Sequence, residues 1–391
     1  MSVQLLVAGG GIGGLASALA LARKGHAIEL LEQASHFGEV GAGIQLGPNA
    51  TRRLDGLGLL PALQAIAAQP EALVIRSASD DAELARLPLG SAMQQRYGAP
   101  YLCVHRADLH GLLLDAVRDS DRVVLHTGAR LAHVSARGDA VCVSTVDARA
   151  WEADGLVGAD GLWSRVRSKV IDGAAPRATG HTAWRSLIAQ DSLPAALRSR
   201  QVRVWLGERL HAVSYPVRGG DALNVVVLAE AAPSGDARDW NQDTSLGALR
   251  TATGRCGPGL QALLETMPDW RAWTLSDRPP LAGPHQMVDD RIALLGDAAH
   301  PMLPYLAQGA GMAIEDAVAL ADALAGGNAA TVPAAFQAYA AARWQRNARV
   351  QARAHRNGRI FHAGGLVRWG RDAGLRLLGP TLLDVPWLYA G

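Results

Sequence analysis

The feature that most restricts this chain lies at its start. An apolar run, residues 3–8, breaks into Gly9-Gly10-Gly11-Ile12-Gly13-Gly14, and an apolar helical pattern then continues from residue 13 to residue 23. Strand, tight turn and helix make the first half of a βαβ unit, and residues 27–31 supply the returning strand. The GxGxxG spacing has a mechanical reading. Gly9 permits the turn, Gly11 lets the backbone approach a pyrophosphate and Gly14 lets helix and strand pack closely, so that the helix start, with Ile12 and Gly13, faces the phosphates. Glu32, with Gln33 beside it, falls 18 residues after Gly14, where an acid accepts hydrogen bonds from an adenosine ribose. These residues predict a dinucleotide site. They do not separate NAD from FAD, and a glycine turn without a ligand is the bland alternative.

A second glycine-rich stretch, residues 38–49, suits neither a helix nor a long strand and reads as a loop against something flat or mobile, with a helix resuming near Ala50. Residues 101–104 read as a short strand, and Asp108 as the cap of a helix running through Val117. Further strand-like runs fall at 122–125, 140–145 and 155–159. From about 179 to 275 the pattern changes to short strands, among them 202–206, 211–217 and 222–228, which read as a separate sheet. The parallel-sheet signature returns at 291–295, and the remainder reads as helices, 312–325 and 332–361.

With 391 residues, 49% hydrophobic, the chain is long enough for two domains, and no run of 18 apolar residues or leader-like segment occurs. A cytoplasmic protein without a membrane span is the expectation. Residues 359–378 come closest to an anchor, but arginines and glycines interrupt them, so a packed C-terminal helix is the preferred reading. The three cysteines are far apart, the histidines scattered, and no HExxH or paired CxxC occurs, so no metal is expected. A net charge of +2 argues against a nucleic-acid surface.

Further motifs carry a resemblance. The strand-to-helix turn His105-Arg106-Ala107-Asp108, then Val157-Gly158-Ala159-Asp160-Gly161 with Ser164 and Arg167, then Leu295-Gly296-Asp297-Ala298-Ala299-His300 follow the glycine turn in this order. Together they resemble the FAD-dependent single-component aromatic hydroxylases, a family that includes salicylate hydroxylase, 3-hydroxybenzoate 6-hydroxylase and 6-hydroxynicotinate 3-monooxygenase. The resemblance implies an α/β fold: a Rossmann-like FAD-binding domain (1–75, 98–178 and 278–330) interrupted by a smaller α+β substrate domain with a mostly antiparallel sheet (76–97 and 179–277), plus a C-terminal helical region (331–391). It further implies bound FAD, with Asp297 on the ribityl chain, Arg106 in the ribityl-pyrophosphate region and Asp160 serving both FAD and a transient NADH or NADPH. Gly43 and Ile44 would lie against the flavin, and the glycine loop would let it swing. The backbone of Ala310, Gly311 and Met312, at a helix start, would stabilise negative charge on the reduced flavin. Alone, Asp160-Gly161 reads as a polar turn, and Gly296-Asp297 as a strand end.

The middle segment should supply the substrate pocket. In 210–217, period-two alternation places His211, Val213 and Tyr215 on one face, though an ordinary half-buried sheet surface has the same pattern. By the resemblance, His211 and Tyr215 orient a substrate hydroxyl and accept its proton, the Pro304 carbonyl faces that hydroxyl, and Tyr305 is a further candidate. Trp184-Arg185 reads instead as packing at the domain interface. The implied reaction joins a phenolic aromatic acid, NAD(P)H and O2 through a flavin hydroperoxide. An epoxidase, halogenase or dehydrogenase on the same fold, or a non-catalytic flavin redox sensor, are the alternatives, and a homodimer is left open.

Overall fold

The structure, a computed structural model, describes all residues except 1, 39, 40, 42, 172, 173, 233 and 234, and the side chains of 137, 169 and 170 are outside the description. Part of the expected swinging loop, at 39, 40 and 42, therefore lies outside the described residues. A six-stranded sheet has the order Val288–Asp289, Ile292–Leu294, Gly155–Gly158, Gln4–Ala8, Ala27–Leu31, Val123–His126. All its pairs are parallel except the first, which is a hairpin. Leu5, Leu6 and Val7 are fully buried on the central strand. A parallel strand covered on both faces by helices needs such an uninterrupted apolar run. Helix Ile12–Arg23 packs against Arg106–Arg118 and Gly309–Leu324.

The second sheet has eight strands in the order Gln242–Thr244, Trp270–Asp277, Arg177–Ala189, Ala222–Glu230, Leu210–Val217, Val202–Gly207, Ala72–Ser77, Glu83–Pro88. It is antiparallel except where Val202–Gly207 meets Ala72–Ser77. Strand Ala72–Ser77 pairs along its length with this sheet, from Leu73 opposite Val202, so a domain edge at 75/76 would cut it in two. A small antiparallel meander, Leu131–Arg137, Ala140–Thr145 and Ala150–Ala153, flanks the first sheet.

Several local expectations shift. The glycine stretch contains a strand, Gly43–Leu46, made by pairing with Leu102–His105, and its helix begins at Pro48 rather than Ala50. Short strands of this kind depend on a remote partner, which a local pattern does not reveal. Helix Arg106–Arg118 starts two residues before Asp108, with His105 at the cap position, so Asp108 is a first-turn acid facing the helix dipole instead of the cap. The helix expected from Met312 starts at Gly309.

The C-terminal helices do not form a separate body. Val332, Phe336 and Tyr339 of helix Val332–Phe361 join the first core, whereas Leu375, Leu388 and Tyr389 pack with strands of the second sheet. Helix Gly365–Leu383 is set close to strand Glu83–Pro88, where a Cβ on Gly379 would come 2.6 Å from that of Ala85. Its other face exposes Leu366, Trp369 and Leu377. No helix among the described residues is long and apolar enough to cross a membrane.

Candidate active site

The glycine turn is built to the limit of what backbone can do. Gly9 has φ +106°, and a Cβ there would lie 2.5 Å from the Ala159 carbonyl oxygen; one on Gly14 would lie 1.8 Å from the Gly9 oxygen. No side chain caps helix Ile12–Arg23 at its N-terminus, and Gly9, Gly10 and Gly11 line a cavity of about 1040 Å³ together with Glu32, Gln33, Asp160 and Arg106. Glu32, expected to contact an adenosine ribose, has partners within the protein itself. Its Oε2 accepts the Gly10 N–H at 2.7 Å and its Oε1 the Ala34 N–H at 2.7 Å, so the carboxylate also braces the turn. His110, to which the sequence assigned nothing, meets the Gly10 carbonyl oxygen through Nε2 at 2.8 Å from the other side.

The three distant motifs converge on this cavity. Asp160 accepts the Ser164 hydroxyl at 2.5 Å and the Arg165 and Val166 amides at 2.7 and 3.2 Å, so it takes up the first two amides of helix Arg165–Val170, whose N-cap is Ser164. Burial pushes its pKa above the usual carboxylate range despite those donors. Arg167 Nη1 donates to the carbonyls of Ala298 and Ala299 at 3.3 and 2.9 Å, which joins the Asp160 turn to the Asp297 turn. Burial likewise raises the pKa of Asp297, with Arg106 and His300 opposing it.

Gly11, Arg106 and Asp297 also line a second cavity of about 360 Å³, making one continuous cleft. Its walls include Ile12, Gly13, Gly43, Ile44, Pro304 and Ala310. Helix Gly309–Leu324 points its N-terminus, with Ala310 in the first turn, at this cavity, and no side chain caps it. Sixteen residues of aligned peptide dipoles thus favour negative charge there. Gly311 stands one residue further on, where a Cβ would press on Gln308 Oε1 at 2.9 Å. Met312 is displaced from its expected part: its amide already donates to the Gln308 carbonyl at 2.8 Å, because the helix begins three residues earlier than expected, and its side chain is fully buried.

Strand Leu210–Val217 forms the far wall. His211, Val213 and Tyr215 share the face turned to the cleft, as alternation predicts, and all three line it. Tyr215 donates its hydroxyl to the Gly43 carbonyl at 2.6 Å, while the Gly43 amide donates to Asn224 Oδ1 at 3.0 Å, fixing the glycine strand to the sheet. Burial pushes the Tyr215 phenol well above its ordinary range. His211 Nδ1 meets His362 Nε2 at 2.9 Å, and burial, then the neighbouring His362 and His181, hold its pKa well below the ordinary histidine value. The Pro304 carbonyl, expected to face a substrate hydroxyl, accepts the Ala307 N–H at 3.1 Å in a short 3₁₀ turn that ends in left-handed Ala307, which uses one of its two lone pairs. Tyr305 pairs with His181, hydroxyl to Nδ1 at 2.5 Å. Trp184 is packed in the outer core of the second sheet, whereas Arg185, its chain neighbour, reaches the cleft.

Beneath the helix start lies a charge network of which no motif or spacing is a sign. Arg343 binds Asp316 and Glu315, each at 2.8 Å; Arg346 binds both oxygens of Glu315 at 2.6 and 2.8 Å; His300 Nε2 lies 2.5 Å from Asp316. Asn49 bridges Glu315 and Gln308 at 2.8 and 2.9 Å. The network ties three helices together behind the cleft.

Comparison with known proteins agrees with this geometry. A 3-hydroxybenzoate 6-hydroxylase of Polaromonas naphthalenivorans (strain CJ2) is 38% identical over 371 residues, 95% of this chain and 91% of the relative. A 6-hydroxynicotinate 3-monooxygenase of Pseudomonas fluorescens is 34% identical, with 91% of each chain covered. Among solved structures, Klebsiella pneumoniae HpxO complexed with FAD and uric acid superposes with a TM-score of 0.84 at 26% identity, over 96% of this chain and 93% of that one. A family model described as FAD binding domain matches residues 2–354, and the chain belongs to that family.

Proposed function

We propose that this protein is an FAD-dependent monooxygenase that hydroxylates a phenolic aromatic acid of the hydroxybenzoate or hydroxynicotinate type, consuming NAD(P)H and O2. The carrying observation is the continuous cleft, which runs from the glycine turn past Arg106 and Asp297 to the His211–Tyr215 face. The residues present fit FAD. The turn admits no Cβ at Gly9 or Gly14, and an uncapped helix end stands at each of the two cavities.

In this reading Gly9, Gly11, Ile12, Gly13 and Gly14 hold the pyrophosphate and Glu32 and Gln33 the adenosine. Asp160, Arg106 and Asp297 hold the ribityl-phosphate middle. Gly43, Ile44, Ala310 and Gly311 lie at the ring system. When bound, FAD takes a hydride from NAD(P)H and activates O2, so that substrate, NAD(P)H, H+ and O2 give hydroxylated product, NAD(P)+ and water. The chain's own part is to place the phenol and take its proton. His211, kept neutral by burial, has Nε2 available as acceptor toward the cleft when its Nδ1 donates to His362. A deprotonating phenol is the electron-rich ring that an electrophilic oxygen requires. Tyr215 and Pro304 shape the pocket around it, and Tyr305 stands one step behind, its ring centre 5.1 Å from that of His211.

The test is a screen of hydroxybenzoates, salicylate and hydroxynicotinates for stimulated NADH or NADPH oxidation, with products identified by mass. One substrate should give product carrying one added oxygen in proportion to nicotinamide consumed. Stimulated oxidation that yields only hydrogen peroxide for every compound, or no stimulation at all, would refute the proposal.

A further inference from the structure

The histidines that look scattered along the chain are brought together behind His211. His181 stands directly opposite Glu230 across the pair of strands Arg177–Ala189 and Ala222–Glu230. His362 follows the end of helix Val332–Phe361, and Arg209 tethers it there: the Arg209 amide donates to the His362 carbonyl at 2.9 Å and its carbonyl accepts the Glu230 amide at 2.9 Å. One ligand atom from each of His181, Glu230 and His362 lies within 4.8 Å of the others.

The remaining hydrogen bonds assign the atoms. His181 uses Nδ1 toward Tyr305, leaving Nε2; His362 uses Nε2 toward His211, leaving Nδ1. That Nδ1 has no hydrogen-bond partner among the described residues, although His362 is only 7% exposed. A buried polar atom left in this way calls for an unseen partner. Glu230 is held through one oxygen, Oε2, by Arg209 Nε at 2.7 Å. Two imidazoles and a carboxylate, each steadied by an outer hydrogen bond, form a zinc donor set with its usual second layer of support. Bonds of about 2.1 Å in tetrahedral geometry bring ligand atoms to roughly 3.4 Å from one another. From 4.8 Å, the side chains must therefore close by up to about 1.4 Å. His181 and Glu230 are only partly buried and have room to do so.

We propose that His181, Glu230 and His362 form a binding site for a divalent transition-metal ion, Zn2+ by its donor set, and that the bound ion inhibits the enzyme through His211. An ion on His362 Nδ1 leaves the proton on Nε2, which must then donate to His211 Nδ1. Neutral His211 in turn carries its proton on Nε2 and presents a donor to the cleft where an acceptor is needed. The ion on His181 Nε2 likewise makes Nδ1 a donor to Tyr305. Metal binding stands by itself; the inhibition rests on the reading of His211 as proton acceptor.

The experiment takes the full chain loaded with FAD, stripped with EDTA, and titrates Zn2+ by calorimetry, with Co2+ and its visible ligand-field bands as a second probe. One ion per chain is expected, with affinity weakened at least about tenfold in both Glu230→Gln and His181→Asn, since loss of a ligand should exceed loss of its outer support. FAD absorbance verifies that each variant is folded. Absence of saturable binding, or equal affinity in wild type and both variants, overturns the site. At the Zn2+ concentration that just saturates wild type, turnover should fall at least fivefold in wild type and clearly less in Glu230→Gln. Full activity in protein that has bound one equivalent, or equal inhibition of the variant, overturns the link to His211. If no substrate is turned over, the hydroxylase reading fails while calorimetry still decides the site.

Discussion

Replacing Arg343 with methionine tests whether the buried charge network holds the cleft's helix start in place. Arg343 is almost fully buried and is shared by Asp316 and Glu315, each at 2.8 Å, with Asn347 Oδ1 at 3.2 Å. Methionine keeps most of the volume but removes the cation. Arg346 still serves Glu315, so the loss falls on Asp316, which keeps His300 and the Asn347 amide at 3.0 Å. Removing one partner of a buried ion pair costs about 3–5 kcal/mol. For 391 residues, an unfolding entropy of about 2.1 cal/mol/K per residue gives about 0.8 kcal/mol/K, so Tm should fall by about 4–6 °C. The deficit should also depend on pH. Burial works against the Asp316 carboxylate, but His300 and Arg343 outweigh it and hold its pKa well below the usual range. That stability is present above the unfolded value of about 4 and is lost as pH falls. In Arg343→Met one of the two opposing groups is gone, so the folded pKa of Asp316 rises toward and past the unfolded value as burial regains weight, and the folded variant takes up its proton at a higher pH than wild type does. The deficit should therefore be largest near pH 8 and shrink toward pH 5. Urea unfolding followed by flavin release at the two pH values measures both quantities. A deficit below about 1 kcal/mol at pH 8, or one that grows on acidification, would refute the reasoning.

Gly14→Ala should yield protein without FAD, because its Cβ would sit 1.8 Å from the Gly9 oxygen and force helix and turn apart; a yellow variant at full occupancy would contradict the placement of the pyrophosphate. Tyr215→Phe removes the 2.6 Å bond to the Gly43 carbonyl, a net loss of about 1 kcal/mol, and should retain FAD while lowering kcat/KM about fivefold in steady-state assays. Acid should destabilise the metal-free protein early. The folded pKa of His362 is lowered from 6.5 to about 3 by burial, then by His181 and Arg371, so the unfolded state binds more protons across that window and stability falls as pH drops from about 6.5 toward 3. The urea midpoint should decline from pH 7 to pH 5, and His362→Asn should flatten that decline.

Periodicity and glycine spacing were sufficient for the parallel sheet, because its central strand must be apolar on both faces and its turn must lack side chains. They were sufficient also for the His211–Val213–Tyr215 face, since a two-residue period needs no partner. The domain edge near residue 75 and the strand Gly43–Leu46 were not legible, because each exists only through pairing with a remote strand.

Much the same division runs through the site. Motifs along the chain named Asp160, Asp297 and Arg106, and through them FAD rather than NAD, by resemblance to a family rather than by local geometry. Tertiary structure alone decided that Asp160 takes up the first two amides of a helix, that the Pro304 carbonyl closes a turn, and that the Met312 amide is spent within its helix. It alone assembled the Arg343 network, and it set His181, Glu230 and His362 side by side. Side-chain chemistry and short-range spacing are written in the order of residues. Which hydrogen-bond partner a polar atom finds depends on what the fold carries to it from far along the chain.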